Sequence, residues 1–277
     1  MTPSDDRLAD YRTIVITGAS SGIGAALARR LGGPGRTIAL IARDAARLEA
    51  VRAAGDAAGA ACTAAAIDVR DRTRLADFLD GFDRAHGIDL LIVNAGILDG
   101  RHAEQATEDG DTARRVIDIN LTAAIDTVHA VLPAMQRRRR GAIVLVSSLA
   151  GFVPLADAPA YSAAKAGMVS YALALRDGVE GDGVRVVVAC PGFVATPMAA
   201  LHLGPRPGEI SADEAAMRIL DGLRRNRAVI GFPTAAFWWS RINLLVPEFL
   251  RRRGAARTRF HVASDPTAAP SAHDAGR

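Results

Sequence analysis

Two cysteines, Cys62 and Cys190, are all that the 277 residues contain, and neither lies in a C-x-x-C or a Cys/His ligand spacing. A disulfide framework and a zinc site are thereby disfavoured, no metal is expected, and a reducing cytoplasm fits best. Long apolar runs are missing as well. Nothing approaches the roughly 18 residues that a spanning helix needs, and the opening MTPSDDRLADYR is polar, without the apolar core of a signal peptide. Aromatic residues make up only 5% of the chain and do not interleave the basic clusters, so a nucleic-acid partner finds no support. Charge of one sign is not in great excess: 34 basic and 30 acidic residues leave a net +4. The basic residues are nevertheless grouped, at Arg137–Arg140 and at Arg251, Arg252, Arg253, Arg257 and Arg259.

What is present is a regular alternation. Short aliphatic, β-branched runs recur at Thr13–Ile16, Thr37–Ile41, Leu90–Val93, Ile143–Val146 and Val184–Val188, with a weaker one at Ala61–Ile67. Runs that are apolar throughout indicate strands buried on both faces. Helical patterns fall between them, at about 22–31, 44–58, 71–85, 111–138 and 160–180. Strand alternating with helix predicts an α/β fold, a parallel sheet with helices on both faces. Residues 1–233 read as that single domain, 234–262 as an amphipathic C-terminal extension, and 263–277, rich in Pro, Ala and Ser, as a disordered tail.

The first run leads directly into Thr17-Gly18-Ala19-Ser20-Ser21-Gly22-Ile23-Gly24, after which a helix begins. Glycines at such a place let the backbone turn tightly and approach a pyrophosphate, whose charge is met by N–H groups at the helix N-terminus. The spacing is G-x-x-x-G-x-G, and the strand–loop–helix context makes it more than an ordinary turn. At the end of the second run stands Ala42-Arg43-Asp44. An acid there would hydrogen-bond the ribose diol of NAD, whereas an arginine suits the 2′-phosphate of NADP. Arg43 therefore favours NADP(H) over NAD(H), the alternative being a helix-start arginine beside Asp44. Asn94-Ala95-Gly96 closes the Leu90–Val93 run with small residues, where an open parallel sheet binds ligands.

Tyr161 and Lys165 stand at i and i+4 in AYSAAKAG, a spacing that stacks both on one helix face. A phenol of reference pKa near 10 gains little from an ammonium as a surface pair. As an acid/base group it gains much, because an adjacent cation favours the phenolate. Ser147 and Ser148 end a buried run, and a hydroxyl there could hold a substrate oxygen beside Tyr161. Asn120 interrupts an apolar helix face, where an amide could anchor a water leading to Lys165 or simply satisfy its own packing.

Taken together, TGASSGIG, Asp68-Val69, Asn94-Ala95-Gly96, Asn120, Ser148, Tyr161-x-x-x-Lys165 and Pro191-Gly192 resemble, in order and spacing, the short-chain dehydrogenase/reductase family over about residues 11–231. The resemblance implies a single-domain Rossmann fold of seven parallel strands and hydride transfer to or from NAD(P). It casts Tyr161 as acid/base, Lys165 as the group that binds the nicotinamide ribose and lowers the phenol pKa, Ser148 as the substrate-orienting hydroxyl, and Asn120 as holder of a relay water. The cofactor set it implies is Gly18, Ser20, Ser21, Gly22, Ile23, Gly24, Arg43, Asp68, Val69, Asn94, Ala95, Gly96, Tyr161, Lys165, Pro191, Gly192, Val194 and Thr196. Of these, Asp68 meets the adenine, and Val194 and Thr196 meet the carboxamide. Where the family often writes NNAG, this chain has Val93 in the first place, a change that touches no catalytic role. Assembly as a homodimer or homotetramer is a further implication.

Substrate contacts are expected from Leu149–Pro159, Phe193–Ser211 and the loop after Gly96. Phe152, Val153, Pro154, Leu155, Phe193, Met198, Leu201 and Leu203 make these segments mostly apolar, and His202 reads as a water-exposed loop histidine. Trp238, Ile242, Leu245 and Phe249 recur at helical spacing before the C-terminal arginines. That stripe suits packing on the domain, a subunit contact or peripheral membrane contact. The expected activity is reduction of a carbonyl, or oxidation of a secondary alcohol, on an apolar small molecule or lipid. The alternatives are an NAD-linked dehydrogenase working oxidatively, and a dinucleotide-binding protein that docks through its C-terminus.

Overall fold

The structure, a computed structural model, describes residues 8–243, 246 and 260–263. Leu245, Phe249, the C-terminal arginines and the expected tail from 264 onward lie outside the described residues.

Six strands fall where the apolar runs predict them. They are β1 (Thr13–Thr17), β2 (Thr37–Ala42), β3 (Ala61–Ala66), β4 (Leu90–Val93), β5 (Gly141–Val146) and β6 (Val184–Pro191). Two two-residue strands, β7 (Val194–Ala195) and β8 (His202–Leu203), and a third, β9 (Ile210–Ser211), precede β10 (Val229–Phe232). The main sheet has the order β10-β6-β5-β4-β1-β2-β3, and all its pairs are parallel. The seventh strand, β10, was implied by the family resemblance but not by any apolar run. The reason is its edge position: buried and half-buried residues alternate along it, and β3 at the other edge is mostly exposed or half-buried, with Ala65 alone buried. By contrast, β1, β4 and β5 are buried at every residue.

Helices cover both faces. On one side α1 (Gly22–Leu31), α2 (Ala45–Ala57) and α8 (Ala212–Arg224) pack Leu27, Leu31, Leu48, Ile219 and Leu223 against Ile14, Ile16 and Val144. On the other, α3 (Arg72–His86), α5 (Ala123–Arg138) and α6 (Pro159–Gly178) pack Leu79, Val128, Val131 and Met168 against Val15, Leu91 and Ile143. The long helix predicted over 111–138 is one continuous rod in three parts: α4 (Gly110–Ile117), a π turn over Asp118–Thr122, and α5. That rod is long and apolar enough to cross a bilayer, but half of its apolar window is buried within the fold, as befits a core helix.

Past the short α7 (Pro197–Ala200), the C-terminal region departs from the sequence pattern. In α9 (Thr234–Asn243) the buried residues are Phe237 and Ser240, and the Phe237 ring meets Phe152 edge-on at 5.8 Å. The Trp238 and Ile242 side of the expected stripe faces outward, at 57% and 53% exposure, beside Trp239 at 65%. The helix docks through a residue that the stripe omitted. Beyond it, β11 (His261–Val262) returns to pair antiparallel with β8.

Candidate functional site

Strand order reverses direction between β1 and β4, and an open crevice forms at such a switch point beyond the strands' carboxyl ends. Asn94 ties the two ends together. Its amide Nδ2 donates to the carbonyls of Thr17 and Gly18, both at 3.1 Å, while the Thr17 hydroxyl accepts from the backbone N–H groups of Asn94 and Ala95. The glycines are required here. Gly18 has φ +65°, and a Cβ on it would lie 2.8 Å from the Ala95 Cα; one on Gly24 would lie 2.2 Å from the Gly18 carbonyl oxygen. Gly22, at φ +53°, turns the chain against the Thr196 methyl group. Ser20, Ser21 and Gly22 also line a cavity of ≈ 350 Å³ between α1 and α2, bordered by Arg29 and Arg47. Ser21 caps α1 and Ile23 packs at the edge of the core, so the loop delivers a helix N-terminus to the crevice.

Arg43 is exposed at the end of β2. Asp44, its neighbour in sequence, is engaged by Arg47 at 2.6 Å, and among the described residues Arg43 makes no hydrogen bond or ion pair. Asp68 is held by Arg70 at 2.7 Å; burial opposes its charge, but the Arg70 hydrogen bonds outweigh burial and keep the carboxyl below its ordinary range. Val69, assigned to the cofactor, is 8% exposed and belongs mainly to the core. Pro191 ends β6, and Gly192 donates its N–H to the Phe232 carbonyl, which fixes the path into Val194 and Thr196.

The four polar residues of the expected tetrad come together below this crevice. Lys165 lies on α6, 4% exposed, with Nζ donating to the Val146 carbonyl at 3.0 Å and sitting 5.7 Å from the centre of the Tyr161 ring. A Cβ on Gly96 would lie 2.8 Å from the Asn120 Oδ1 and 3.5 Å from the Lys165 Nζ, so the crevice floor, the amide and the ammonium share one corner. Asn120 is fully buried in the π turn. Its side chain pairs with Ile97 both ways, accepting the N–H at 2.7 Å and donating to the carbonyl at 2.8 Å. The widened turn, closed by Ala123 N–H on the Asp118 carbonyl, is a feature found often at functional sites and invisible in periodicity. Ser148 leaves β5 with its hydroxyl accepting the Ala150 N–H at 3.1 Å. Its neighbour Ser147 is spent on structure, donating to the Lys165 carbonyl at 2.8 Å.

Protonation differs from the sequence expectation in one respect. Burial pushes the Tyr161 phenol above its ordinary value, only partly countered by Ser148. Burial also brings the Lys165 ammonium down to about 8. Desolvation, not the neighbouring cation, is the dominant effect on both groups in the ligand-free protein. The thiol of Cys190, beneath them at the end of β6, is pushed up to about 12 by the same cause.

The expected apolar wall is realised in part. Phe152 is buried and Leu155 and Leu201 are half-buried, but Leu203 is 56% exposed. His202 corrects the reading as a water-exposed histidine: it is 9% exposed in β8, with its ring 4.9 Å from Phe193 and 4.1 Å from Phe260. Burial between two aromatic rings lowers its pKa. Arg101, Glu108, Asp157 and Phe260, which the sequence reading did not single out, gather around the same mouth, Asp157 from within the expected Leu149–Pro159 segment. Among the described residues no His, Cys, Asp or Glu cluster could hold a metal ion.

The sequence and the fold are matched by known proteins. The family model "short chain dehydrogenase" covers residues 12–203. The chain belongs to the short-chain dehydrogenase family. A 3-dehydrosphinganine reductase of Arabidopsis thaliana is 32% identical over 87% of this chain and 80% of its own. Among solved structures, a short-chain dehydrogenase from Sphingobium yanoikuyae in complex with NADPH superposes with a TM-score of 0.72, at 29% identity over 92% of this chain and 99% of that one. Another, from Mycobacterium paratuberculosis and bound to NAD, gives 0.72 at 25% identity, covering 82% and 98%. The short-chain dehydrogenase described here is thus an oxidoreductase of CH–OH and carbonyl groups that uses a nicotinamide dinucleotide, on a Rossmann fold.

Proposed function

We propose that this short-chain dehydrogenase reduces a carbonyl on an apolar small molecule or lipid with NADPH, with Tyr161 as the general acid. The observation that carries this reading is a chain of neighbours: Asn120 and Lys165 meet at Gly96 on the crevice floor, Tyr161 lies beside Lys165, and Ser148 hydrogen-bonds to Tyr161. Glycines that no side chain could replace, a helix N-terminus and an exposed Arg43, which among the described residues makes no hydrogen bond or ion pair, fit a dinucleotide with a 2′-phosphate. Gly18, Gly22 and Gly24 would hold its pyrophosphate, Asp68 its adenine, and Lys165 its nicotinamide ribose. When bound, the dinucleotide supplies the hydride.

The chain's own residues handle the proton. A buried phenol keeps its proton at neutral pH, which suits donation to a carbonyl oxygen. The Ser148 hydroxyl holds that oxygen beside the phenol, and positioned donors act most strongly where water is excluded. Lys165, with Nζ between the Val146 carbonyl and the Gly96 corner, supports proton return to Tyr161 through a water anchored by Asn120. The sphinganine reductase relationship and the apolar residues Phe152, Leu155 and Leu201 support an apolar carbonyl substrate. The outward Trp238, Trp239 and Ile242 favour delivery of such a substrate from a lipid surface.

A screen of steroid, acyl, quinone and sugar carbonyls for cofactor oxidation tests the proposal. Apolar ketones should consume NADPH in preference to NADH. Turnover of sugar carbonyls alone, or a preference for NADH, would overturn it.

A further inference from the structure

The segment at residues 260–263 is bound to every loop from which substrate contacts were expected. Val262 N–H donates to the Arg101 carbonyl at 3.1 Å and Ala263 N–H to the Leu201 carbonyl at 2.8 Å. Phe260 N–H donates to the Asp157 Oδ2 at 2.9 Å, while Arg101 Nη2 donates to the Phe260 carbonyl at 3.1 Å. His102 Nδ1 adds a bond to the Val262 carbonyl at 2.8 Å. The latch beneath is a buried ion pair: Arg101 Nε to Asp157 Oδ1 at 2.6 Å, with the two residues 9% and 1% exposed.

A buried ion pair seldom adds net stability, since desolvating both charges offsets their attraction. What it contributes is placement, because Arg101 Nη2 and Asp157 Oδ2 both bond to the backbone of Phe260, while Arg101 Nη1 donates to the Gln105 carbonyl. The 260–263 segment carries Phe260 and Val262, 3% and 2% exposed, into a cluster with Ala158, Leu98, Leu155, Leu201 and Tyr161. One side of the proposed acid is therefore packed against a residue far away in sequence. Of the described arginines nearby, Arg101 is paired with Asp157, Arg115 with Asp99, and Arg206 with Glu209 at 3.0 Å, while Arg241 lies over the Phe152 ring at 5.7 Å.

We propose that Phe260 is a specificity-determining residue of this enzyme, the outer wall of the substrate pocket above Tyr161, fixed by the Arg101–Asp157 latch. The inference rests on the carbonyl-reductase reading and deepens it. The substituent on the carbonyl carbon that enters between Phe260, Leu98, Leu155 and Leu201 is apolar.

The test uses the full chain, NADPH and a series of straight-chain methyl ketones of increasing length. In Phe260→Ala, KM for the short ketones should rise about tenfold, with kcat and NADPH affinity held within about twofold, and the preferred length should move to bulkier ketones. Phe260→Leu should lie between. In Asp157→Asn, amide hydrogen exchange at 98–105 and 260–263 should accelerate about tenfold while the central strands stay protected. An unchanged length preference in Phe260→Ala overturns the wall. Unchanged exchange in Asp157→Asn overturns the latch. A wild type that binds NADPH but reduces no ketone overturns the carbonyl reading instead, and the two failures are told apart by that binding.

Discussion

The proposed dinucleotide crevice and the proposed substrate mouth of this protein meet at Tyr161, yet they are held together in different ways. Backbone and small residues build the crevice: Gly18 against Ala95, Gly24 against the Gly18 carbonyl, and one amide, Asn94, bridging two strand ends. Each part is a contiguous strand–turn piece whose conformation follows from its own few residues. Charged side chains bound to distant backbone build the mouth. Arg101 reaches a carbonyl 159 positions along the chain, and Asp157 an N–H 103 positions along. A chemically constant cofactor can be met by steric necessity, because no substitution fits. A variable substrate is met by a wall whose latch holds a strand in place whatever apolar residues that strand carries.

The sharpest way to break this contrast is at the point of contact. Tyr161→Phe removes only the oxygen, leaving the ring in the cluster with Phe260 and Leu155. Turnover of an accepted ketone should fall by about 10²- to 10⁴-fold, the range for a positioned acid–base group, with cofactor affinity kept. Steady-state kinetics beside a fluorescence titration of NADPH would measure both. Wild-type turnover in this variant would place the proton transfer elsewhere and make Tyr161 a mere part of the mouth.

The same contrast explains what could be read in the sequence. Strands β1, β4 and β5 are apolar at nearly every position because both faces are covered, so each announces itself. The edge strand β10 does not, since half of its residues meet less crowded surroundings. The tetrad was legible because Tyr161 and Lys165 lie on one helix and Ser148 ends a strand. Asn120 left two readings open because the π turn that sets its amide against Ile97 has no period of its own. His202, Arg101 and Asp157 were not legible for a different reason. Their burial depends on Phe260 and Val262 returning from the far end of the chain, and no local pattern carries that information.

A second test sharpens the crevice side through the buried ammonium. Lys165 has a folded pKa of about 8 against an ordinary value of 10.5. Below about pH 8 it is charged in both states, and the full penalty of burying it is present. Between about 8 and 10.5 the unfolded chain holds a proton that the folded one has released, so stability rises with pH across that window. Above it, both states are neutral. Tyr161 and Cys190, raised by burial, act in the opposite direction at high pH, so the difference from a variant is the quantity to read. Lys165→Met should be more stable than wild type at pH 7 by up to about 3 kcal/mol, with the gap closing as pH approaches the unfolded value. Urea unfolding of both proteins at several pH values checks it. A gap that is independent of pH would mean that the ammonium is not desolvated as its burial implies.

The smallest effect tests whether the crevice's chemistry is as local as its geometry. Arg43 sits at the rim, exposed, and the carboxylate that could have claimed it, Asp44, is bound to Arg47. If one residue decides which dinucleotide is preferred, Arg43→Ala should cost NADP(H) about tenfold in affinity and leave NAD(H) nearly unchanged, because a charge-assisted bond at an exposed rim is worth little more than 1 kcal/mol, roughly. Parallel titrations with both cofactors measure the ratio. Arg29 and Arg47 border the cavity beside Ser20 and Ser21 and are competitors for the role of Arg43. Should the preference survive in Arg43→Ala and vanish in Arg47→Ala, the 2′-phosphate would lie between α1 and α2. The crevice would then share with the mouth a dependence on residues brought together by the fold.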